Sequence, residues 1–278
     1  MIPSLETLIA NHRLSQVHGL RVLTDCVDYP DVDQVFPMYP EQPFFLEELA
    51  KIGGAAGAEV LEIGLGSGVL SIGALKTGAK RVTALEINPR AKLFAGFNAL
   101  INGVTQGLAI IDGDREDLWR PVRGRRFDLV ISNPPFMPSP PGQEHYFHSG
   151  GGDLLGMDFL DTICRELDAH LMPNGKALIV TAAPGDDRLP TAFIDVIERR
   201  LSGGARLIVD PIKFSFDVVK HHTPDGVADA TMRHLGGQLK QRGLTHEHLC
   251  VLHYEKTGSG LTVEQSEPHA AWDEPLPA

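Results

Sequence analysis

Four residues near the middle of the chain, Asn133-Pro134-Pro135-Phe136, form a set with a specific chemical use. Two adjacent prolines carry no backbone donors, so a turn built on them offers acceptors: the Asn133 side-chain oxygen and the Pro134 carbonyl. Phe136 can lie against a planar group. Together they suit a planar NH2 group, whose two protons need two acceptors. Hydrogen bonding there draws the nitrogen lone pair out of conjugation and points it at an electrophile. Positioning of this kind supplies several orders of magnitude in rate, and no strong general base is needed. In isolation the same residues could be a rigid turn after a strand.

Three loops upstream carry further chemistry. Glu62-Ile63-Gly64-Leu65-Gly66-Ser67-Gly68 places glycines where a chain must turn sharply and let a ligand approach its backbone. A dinucleotide fingerprint would need glycine at position 69, which is Val69, and this weakens a nicotinamide reading. Glu62 adds a carboxylate at the turn. Glu86 follows about twenty residues after the glycines, a separation at which a carboxylate can accept from both hydroxyls of a ribose. Asp114, in Asp112-Gly113-Asp114, could meet an adenine amino group, and Asp-Gly equally suits a plain turn.

The elements that must position these loops alternate. Strand patterns cover Glu59–Ile63, Arg81–Glu86, Leu108–Ile111, Phe127–Ile131, Ala177–Thr181, Arg206–Val209 and His248–Tyr254. Helical patterns cover Leu70–Lys76, Pro89–Leu100, Leu154–Leu171 and Thr191–Leu201, with a further helix around Val227–Gln241. Two weaker helical patterns precede them, Ser4–Val17 and Pro43–Leu49. Alternation of this kind predicts a Rossmann-like, doubly wound α/β fold with a mostly parallel sheet. Ligands in such sheets bind beyond the carboxyl ends of the strands. All four loops lie there.

Val60-Leu61-Glu62-Ile63-Gly64-Leu65-Gly66-Ser67-Gly68 resembles the glycine motif of class I S-adenosylmethionine methyltransferases. Asn133-Pro134-Pro135-Phe136 resembles the motif of members that methylate exocyclic amino or amide nitrogens, nearest to the protein glutamine enzymes and the "small" ribosomal RNA guanine group. Gly150 to Asp158 is similar to a glycine-rich segment of the glutamine enzymes. The resemblance spans about residues 59–180. It implies a seven-stranded sheet with an antiparallel last strand at His248–Tyr254 and S-adenosyl-L-methionine as cofactor. By position it implies Glu62, Gly64, Gly66 and Gly68 at the methionine part and Glu86 at the ribose. Asp114 falls at the adenine, and Asn133, Pro134 and Phe136 at the acceptor nitrogen.

Substrate choice falls outside the resemblance. Residues 1–52 read as a helical extension, in which Phe36 and Tyr39 are placed to close over the site. Residues 53–257 read as the core, with an insertion at about 213–243 that offers Phe214, His221 and His222 as lid or selecting groups. Residues 258–278 read as a flexible tail. The net charge is −11, which weighs against a nucleic-acid acceptor and excludes DNA as a favoured partner. With no long protein-docking domain evident, a small-molecule amine or amide is the first expectation. A protein glutamine comes second and RNA third, and a homodimer is kept open. Cys26, Cys164 and Cys250 are far apart, and the histidines lack ligand spacing, so no metal site is expected. With neither a signal peptide nor a run of roughly 20 apolar residues, a cytoplasmic location is expected. The competing classes are a nicotinamide oxidoreductase and a non-catalytic cofactor-binding partner subunit.

Overall fold

The computed structural model describes residues 11–137, 150, 152, 155–216 and 236–269. Its strands are β1 (His12–Val17), β2 (Leu20–Asp25), β3 (Glu59–Ile63), β4 (Arg81–Glu86), β5 (Leu108–Asp112) and β6 (Phe127–Ser132). They continue as β7 (Leu171–Gly185), β8 (Gly204–Ser215), β9 (His246–Glu255) and β10 (Leu261–Gln265). The helices are α1 (Glu41–Lys51), α2 (Val69–Lys76), α3 (Pro89–Ile101), α4 (Asp158–His170) and α5 (Thr191–Arg200).

Strands β3 to β10 form one sheet in the order β10-β8-β9-β7-β6-β3-β4-β5, while β1 and β2 pair as a separate antiparallel hairpin. Among the described strands of this sheet, only β9 runs against its neighbours, β7 and β8. The Rossmann-like, mostly parallel α/β architecture is therefore as the strand–helix alternation predicts. The order reverses direction beside β3, between β4 on one side and β6 on the other, which is where a doubly wound sheet opens its ligand crevice.

Period-two alternation builds the core on both faces of this sheet. Val60, Leu129, Ile131, Leu178, Val180, Leu249 and Val251 pack with Phe44, Phe45 and Leu49 of α1 and Leu70 and Ile72 of α2. Leu61, Ile63, Val130, Ile179 and Leu252 turn the other way, onto Leu160, Ile163 and Leu167 of α4 and Phe193, Val196 and Ile197 of α5. Helix α1 is fastened to the sheet a second way: Glu48 meets His253 of β9 at 2.6 Å and Lys51 at 2.6 Å. Against the burial that raises it, the bonds to His253 and Lys51 hold the Glu48 carboxyl below its usual range.

Several elements differ from their sequence patterns. The helix expected over Ser4–Val17 is, where described, strand β1. His12 to Val17 alternates buried and exposed residues, and the His18-Gly19 turn, with φ of 46° and 77°, folds it onto β2. Backbone pairing with β2, from His12↔Asp25 to Val17↔Leu20, outweighed a weak helical pattern. Among the described residues the sheet has eight strands where seven were implied. The eighth, β10, lies in the segment read as a flexible tail, and pairs in parallel with β8 from Leu261↔Ala205 to Gln265↔Val209. β9 is antiparallel as implied but is not the last strand. β7 begins at Leu171, and Pro173-Asn174-Gly175 forms an irregularity between the pairs Phe127↔Leu171 and Leu129↔Lys176. Of the helix expected around Val227–Gln241, residues 236–241 are helical and the earlier part lies outside the described residues.

Candidate functional site

The carboxyl ends of β3, β4, β5 and β6 bring the four loops into a row. Ile63 pairs with Leu85 on one side and with Ser132 on the other, so Gly64, Glu86 and Asn133 stand side by side just past the strands. The Ser132 hydroxyl donates to the Ile63 carbonyl at 2.7 Å and ties the two central ends together.

The glycine loop turns on three left-handed residues, Gly64 (φ 77°), Gly66 (φ 52°) and Gly68 (φ 83°). They are not equivalent. A Cβ on Gly64 or Gly66 would meet nothing within 4 Å, so the main chain there borders open space. A Cβ on Gly68 would come within 2.9 Å of Ala95 Cβ. Gly68 is required by the packing of the loop against α3 and by its place as N-cap of α2.

Two carboxylates underlie the loop. Glu62 is 1% exposed, and the Ser71 hydroxyl of α2 donates to it. Burial pushes its pKa up to about 8, the Ser71 bonds oppose the shift, and the nearby Glu86 adds to it. Glu86 accepts from Gly66 N–H at 2.8 Å and Asn88 N–H at 2.7 Å, which locks the glycine turn to the end of β4. Burial raises the Glu86 pKa against these backbone donors. Each carboxylate oxygen of Glu86 still has lone-pair capacity for an incoming hydroxyl.

Asp114 is engaged locally. Its carboxylate accepts from Glu116 N–H at 2.8 Å, Asp117 N–H at 3.0 Å and the Arg120 guanidinium at 2.7 Å. The turn function of Asp114 is thus what its side chain performs, with its pKa lowered first by those backbone donors.

At the end of β6, Pro134 is buried and Asn133, Pro135 and Phe136 are partly exposed. Asn133 Oδ1 is buried and finds no hydrogen-bond donor among the described residues. The main chain at Phe136 is held from below by Gly156, where a Cβ would strike the Phe136 carbonyl oxygen at 1.9 Å. This explains one glycine of the Gly150 to Asp158 segment in structural terms.

The sequence reading did not single out Glu41. The chain before α1 runs buried through Met38, Tyr39 and Pro40 and leads to Glu41, 6% exposed, with the Asn133 side chain near enough to lower its pKa. Gln42 Nε2 donates to Glu41 Oε1 at 3.0 Å, and Gln42 Oε1 accepts from Tyr39 N–H at 2.6 Å. Burial raises the Glu41 pKa to about 7 against these bonds. The available signal was a Glu at the first turn of a helix directly after the aromatic segment; nothing in the sequence said it would face residue 133.

Of the proposed selecting groups, Phe36 and Tyr39 stack with ring centroids 4.8 Å apart, in the segment that leads to Glu41. Phe214 lies at the same end of the sheet, but β8 is three strands from β6, about 14 Å at ordinary strand spacing. His221 and His222 lie outside the described residues.

The family model described as "Ribosomal protein L11 methyltransferase (PrmA)" matches residues 44–134, which is α1 through Pro134. A Methanocaldococcus jannaschii protein, named provisionally as a protein N5-glutamine methyltransferase, is 34% identical over 130 residues, 45% of this chain and 62% of its own length. The tRNA1(Val) (adenine(37)-N6)-methyltransferase of Shewanella halifaxensis is 27% identical over 143 residues, 51% of this chain and 54% of its own. The chain thus spans little more than half the length of these relatives. Among solved structures, a SAM-dependent methyltransferase from Agrobacterium tumefaciens superposes with a TM-score of 0.57 at 15% identity, over 89% of this chain and 71% of that one. Both relatives and the family model are named for protein or tRNA acceptors. That overturns the preference for a small-molecule acceptor, which rested on overall charge and on the absence of an evident docking domain.

Proposed function

We propose that this chain, related in sequence to S-adenosylmethionine-dependent methyltransferases and sharing their fold, methylates the side-chain amide nitrogen of a protein glutamine. The observation that carries the reading is Asn133 Oδ1, an acceptor buried without a donor at the ligand end of the central strands. Leaving such a group unsatisfied costs about 1–3 kcal/mol. An N–H of a bound acceptor would supply the missing partner.

S-adenosylmethionine brings an electrophilic methyl group carried on a cationic sulfur. The residues fit it. Glu62 would accept from its ammonium group, the open backbone at Gly64 and Gly66 would border its methionine part, and Glu86 would take the ribose hydroxyls. Asp114, whose carboxylate is already engaged, would shape the adenine loop rather than bond strongly to the base. Gly68 would serve by packing.

The acceptor nitrogen would donate one N–H to Asn133 Oδ1 and the other to the Pro134 carbonyl. Both acceptors favour the positive charge that grows on nitrogen as it alkylates. Phe136 would cover the plane of the amide. The surplus proton leaves to solvent afterwards, so a strong base is not required.

A protein acceptor is favoured over RNA by the net charge of −11, because polynucleotide binding draws on cationic surface. An adenine N6 amino group presents the same planar NH2, and the test separates the two. Purified protein is incubated with methyl-labelled S-adenosylmethionine and cell extract, then treated with protease or nuclease. Label in protease-sensitive material that yields N5-methylglutamine on complete digestion is expected. Asn133→Ala should reduce transfer by about 100-fold or more while S-adenosylhomocysteine affinity stays within about two-fold. Nuclease-sensitive label would reassign the acceptor to RNA. Unimpaired transfer by Asn133→Ala would refute the site.

A further inference from the structure

Asn88 stands two residues past the ribose carboxylate Glu86, at the N-cap of α3, and is 2% exposed. Its polar groups are committed. The backbone N–H donates to Glu86 Oε1 at 2.7 Å, Oδ1 accepts from Arg90 N–H at 2.9 Å, and Nδ2 donates to the Asp33 carbonyl at 2.8 Å. The first bond holds the carboxylate and the second caps the helix. The third serves neither purpose. It reaches 55 residues back, into the chain that precedes α1.

That chain forms a closed loop and then a belt. The loop is pinned at its base, where Asp25 N–H donates to the Val35 carbonyl at 3.0 Å and Val35 N–H donates to Asp25 Oδ2 at 2.8 Å. The Arg90 guanidinium grips the same buried Asp25 through both carboxylate oxygens, at 2.6 and 3.1 Å. The N-terminus of α3 thus holds the loop at two points. The belt runs from Asp33 to Glu41 and is buried at Gln34, Val35 and residues 37–40. Its start is tied to the end of β4, and its end enters α1, which packs on β7. Phe44, in the first turn of α1, meets the ring of His269 at 4.1 Å, and that ring bonds Asp210. Asp210 lies past the level at which β6 ends, so α1 begins at the carboxyl side of the sheet. In the strand order β4-β3-β6-β7 the belt therefore crosses about 14 Å of sheet end. The end of β3, with the open backbone of Gly64 and Gly66, falls within that crossing.

We infer that Asn88 is a positioning residue that couples this belt to the ribose carboxylate, so that cofactor binding and the ordering of residues 26–40 favour one another. The inference rests on the reading that S-adenosylmethionine places its ribose at Glu86. A ribose held there fixes the Glu86 carboxylate. Glu86 fixes the Asn88 backbone, and the Asn88 amide fixes Asp33. Such coupling is reciprocal: whatever loosens the belt weakens cofactor binding by the same factor. The link can be cut without uncapping the helix. Serine and aspartate are both good N-caps. Serine is too short to reach the Asp33 carbonyl, and an ionised aspartate has no donor to offer it.

The coupling can be read without turnover, by hydrogen exchange and mass spectrometry with S-adenosylhomocysteine as the probe. At about 100 times its dissociation constant the ligand should slow exchange in peptides covering residues 26–40 by about 10-fold or more, within the roughly 100-fold that mass action allows. Peptides of α5, on the opposite face of the sheet, should change less than about two-fold. In Asn88→Ser and Asn88→Asp, residues 26–40 should exchange faster without ligand, and the slowing at equal saturation should drop below about three-fold. The dissociation constant should rise about 3- to 10-fold, the net worth of one hydrogen bond. The two variants guard one another, since serine adds no charge beside Glu86 and aspartate preserves size. Wild-type affinity or wild-type slowing in Asn88→Ser overturns this inference alone. So does wild-type protein that binds the ligand and leaves residues 26–40 unprotected. Wild-type protein that binds no S-adenosylhomocysteine overturns the cofactor site of the function proposed above, and this inference with it.

Discussion

The pKa of Glu62 makes cofactor binding a proton-linked event. Its carboxyl is 1% exposed and lifted to about 8 by burial, with Glu86 adding to the shift. Near neutrality it is therefore mostly protonated in the free protein. An ammonium group placed against it would require the ionised form. The sign follows: binding lowers the pKa of Glu62, a proton is released, and affinity rises with pH until the free protein's own pKa is passed. With a pKa of about 8, roughly one molecule in 100 is ionised at pH 6, one in 10 at pH 7 and half at pH 8. If only the ionised form binds, the dissociation constant for S-adenosylhomocysteine should fall about 50-fold from pH 6 to pH 8, or ~2.3 kcal/mol. Isothermal titration at pH 7 in two buffers of different ionisation enthalpy should report release of close to one proton. Glu62→Gln should bind more weakly at pH 8 and show no such slope. A wild-type affinity flat between pH 6 and pH 8, with no proton released, would refute the placement of the ammonium group at Glu62.

Two further outcomes follow from the same structure. Gly68→Ala should destabilise the fold by about 2–3 kcal/mol, because it combines a left-handed φ with a Cβ contact of 2.9 Å to Ala95. Gly64→Ala carries only the φ penalty, about 1–2 kcal/mol, and should show its larger effect on S-adenosylhomocysteine affinity; thermal melting and titration of both variants separate packing from binding. Glu247 of β9 is 6% exposed, and burial lifts its pKa to about 7. A carboxyl raised on folding stabilises fully below its unfolded pKa and progressively less as pH rises through the folded one. The melting temperature should accordingly fall between pH 4.5 and pH 7, by the equivalent of up to about 3 kcal/mol for this group, and Glu247→Gln should flatten that decline. A wild-type melting curve independent of pH over that window would contradict it.

The parallel core was legible because both of its signals are local. Strands such as Phe127–Ser132 are short, mostly apolar runs ahead of turn residues, and α3 opens with Asn88 capping Arg90 N–H at 2.9 Å ahead of Pro89 at the first turn. Glycines at 64, 66 and 68 follow a strand and require left-handed backbone, so they could be placed on the loop from sequence alone. Their division of labour could not. Gly68 faces Ala95 and Gly64 faces open space, and that depends on where α3 packs.

Sequence by itself determined the kinds of atoms at the site: acceptor oxygens at Asn133 and Pro134, carboxylates at Glu62 and Glu86, and a glycine turn between them. These depend on residue type and on strand-end spacing, which period and turn chemistry reveal. Tertiary structure alone decided which of these atoms are satisfied. Glu86 is bonded to the glycine loop 20 residues away, Asp114 is consumed by its own turn, and β10 returns to pair with β8 more than 50 residues earlier. Glu41 lies near enough to Asn133 for the amide to lower its pKa, a proximity between residues distant in the chain that no local pattern encodes. At the turn from which the chemistry was first read, the residue types supply an amide, and the fold leaves its oxygen buried without a donor among the described residues.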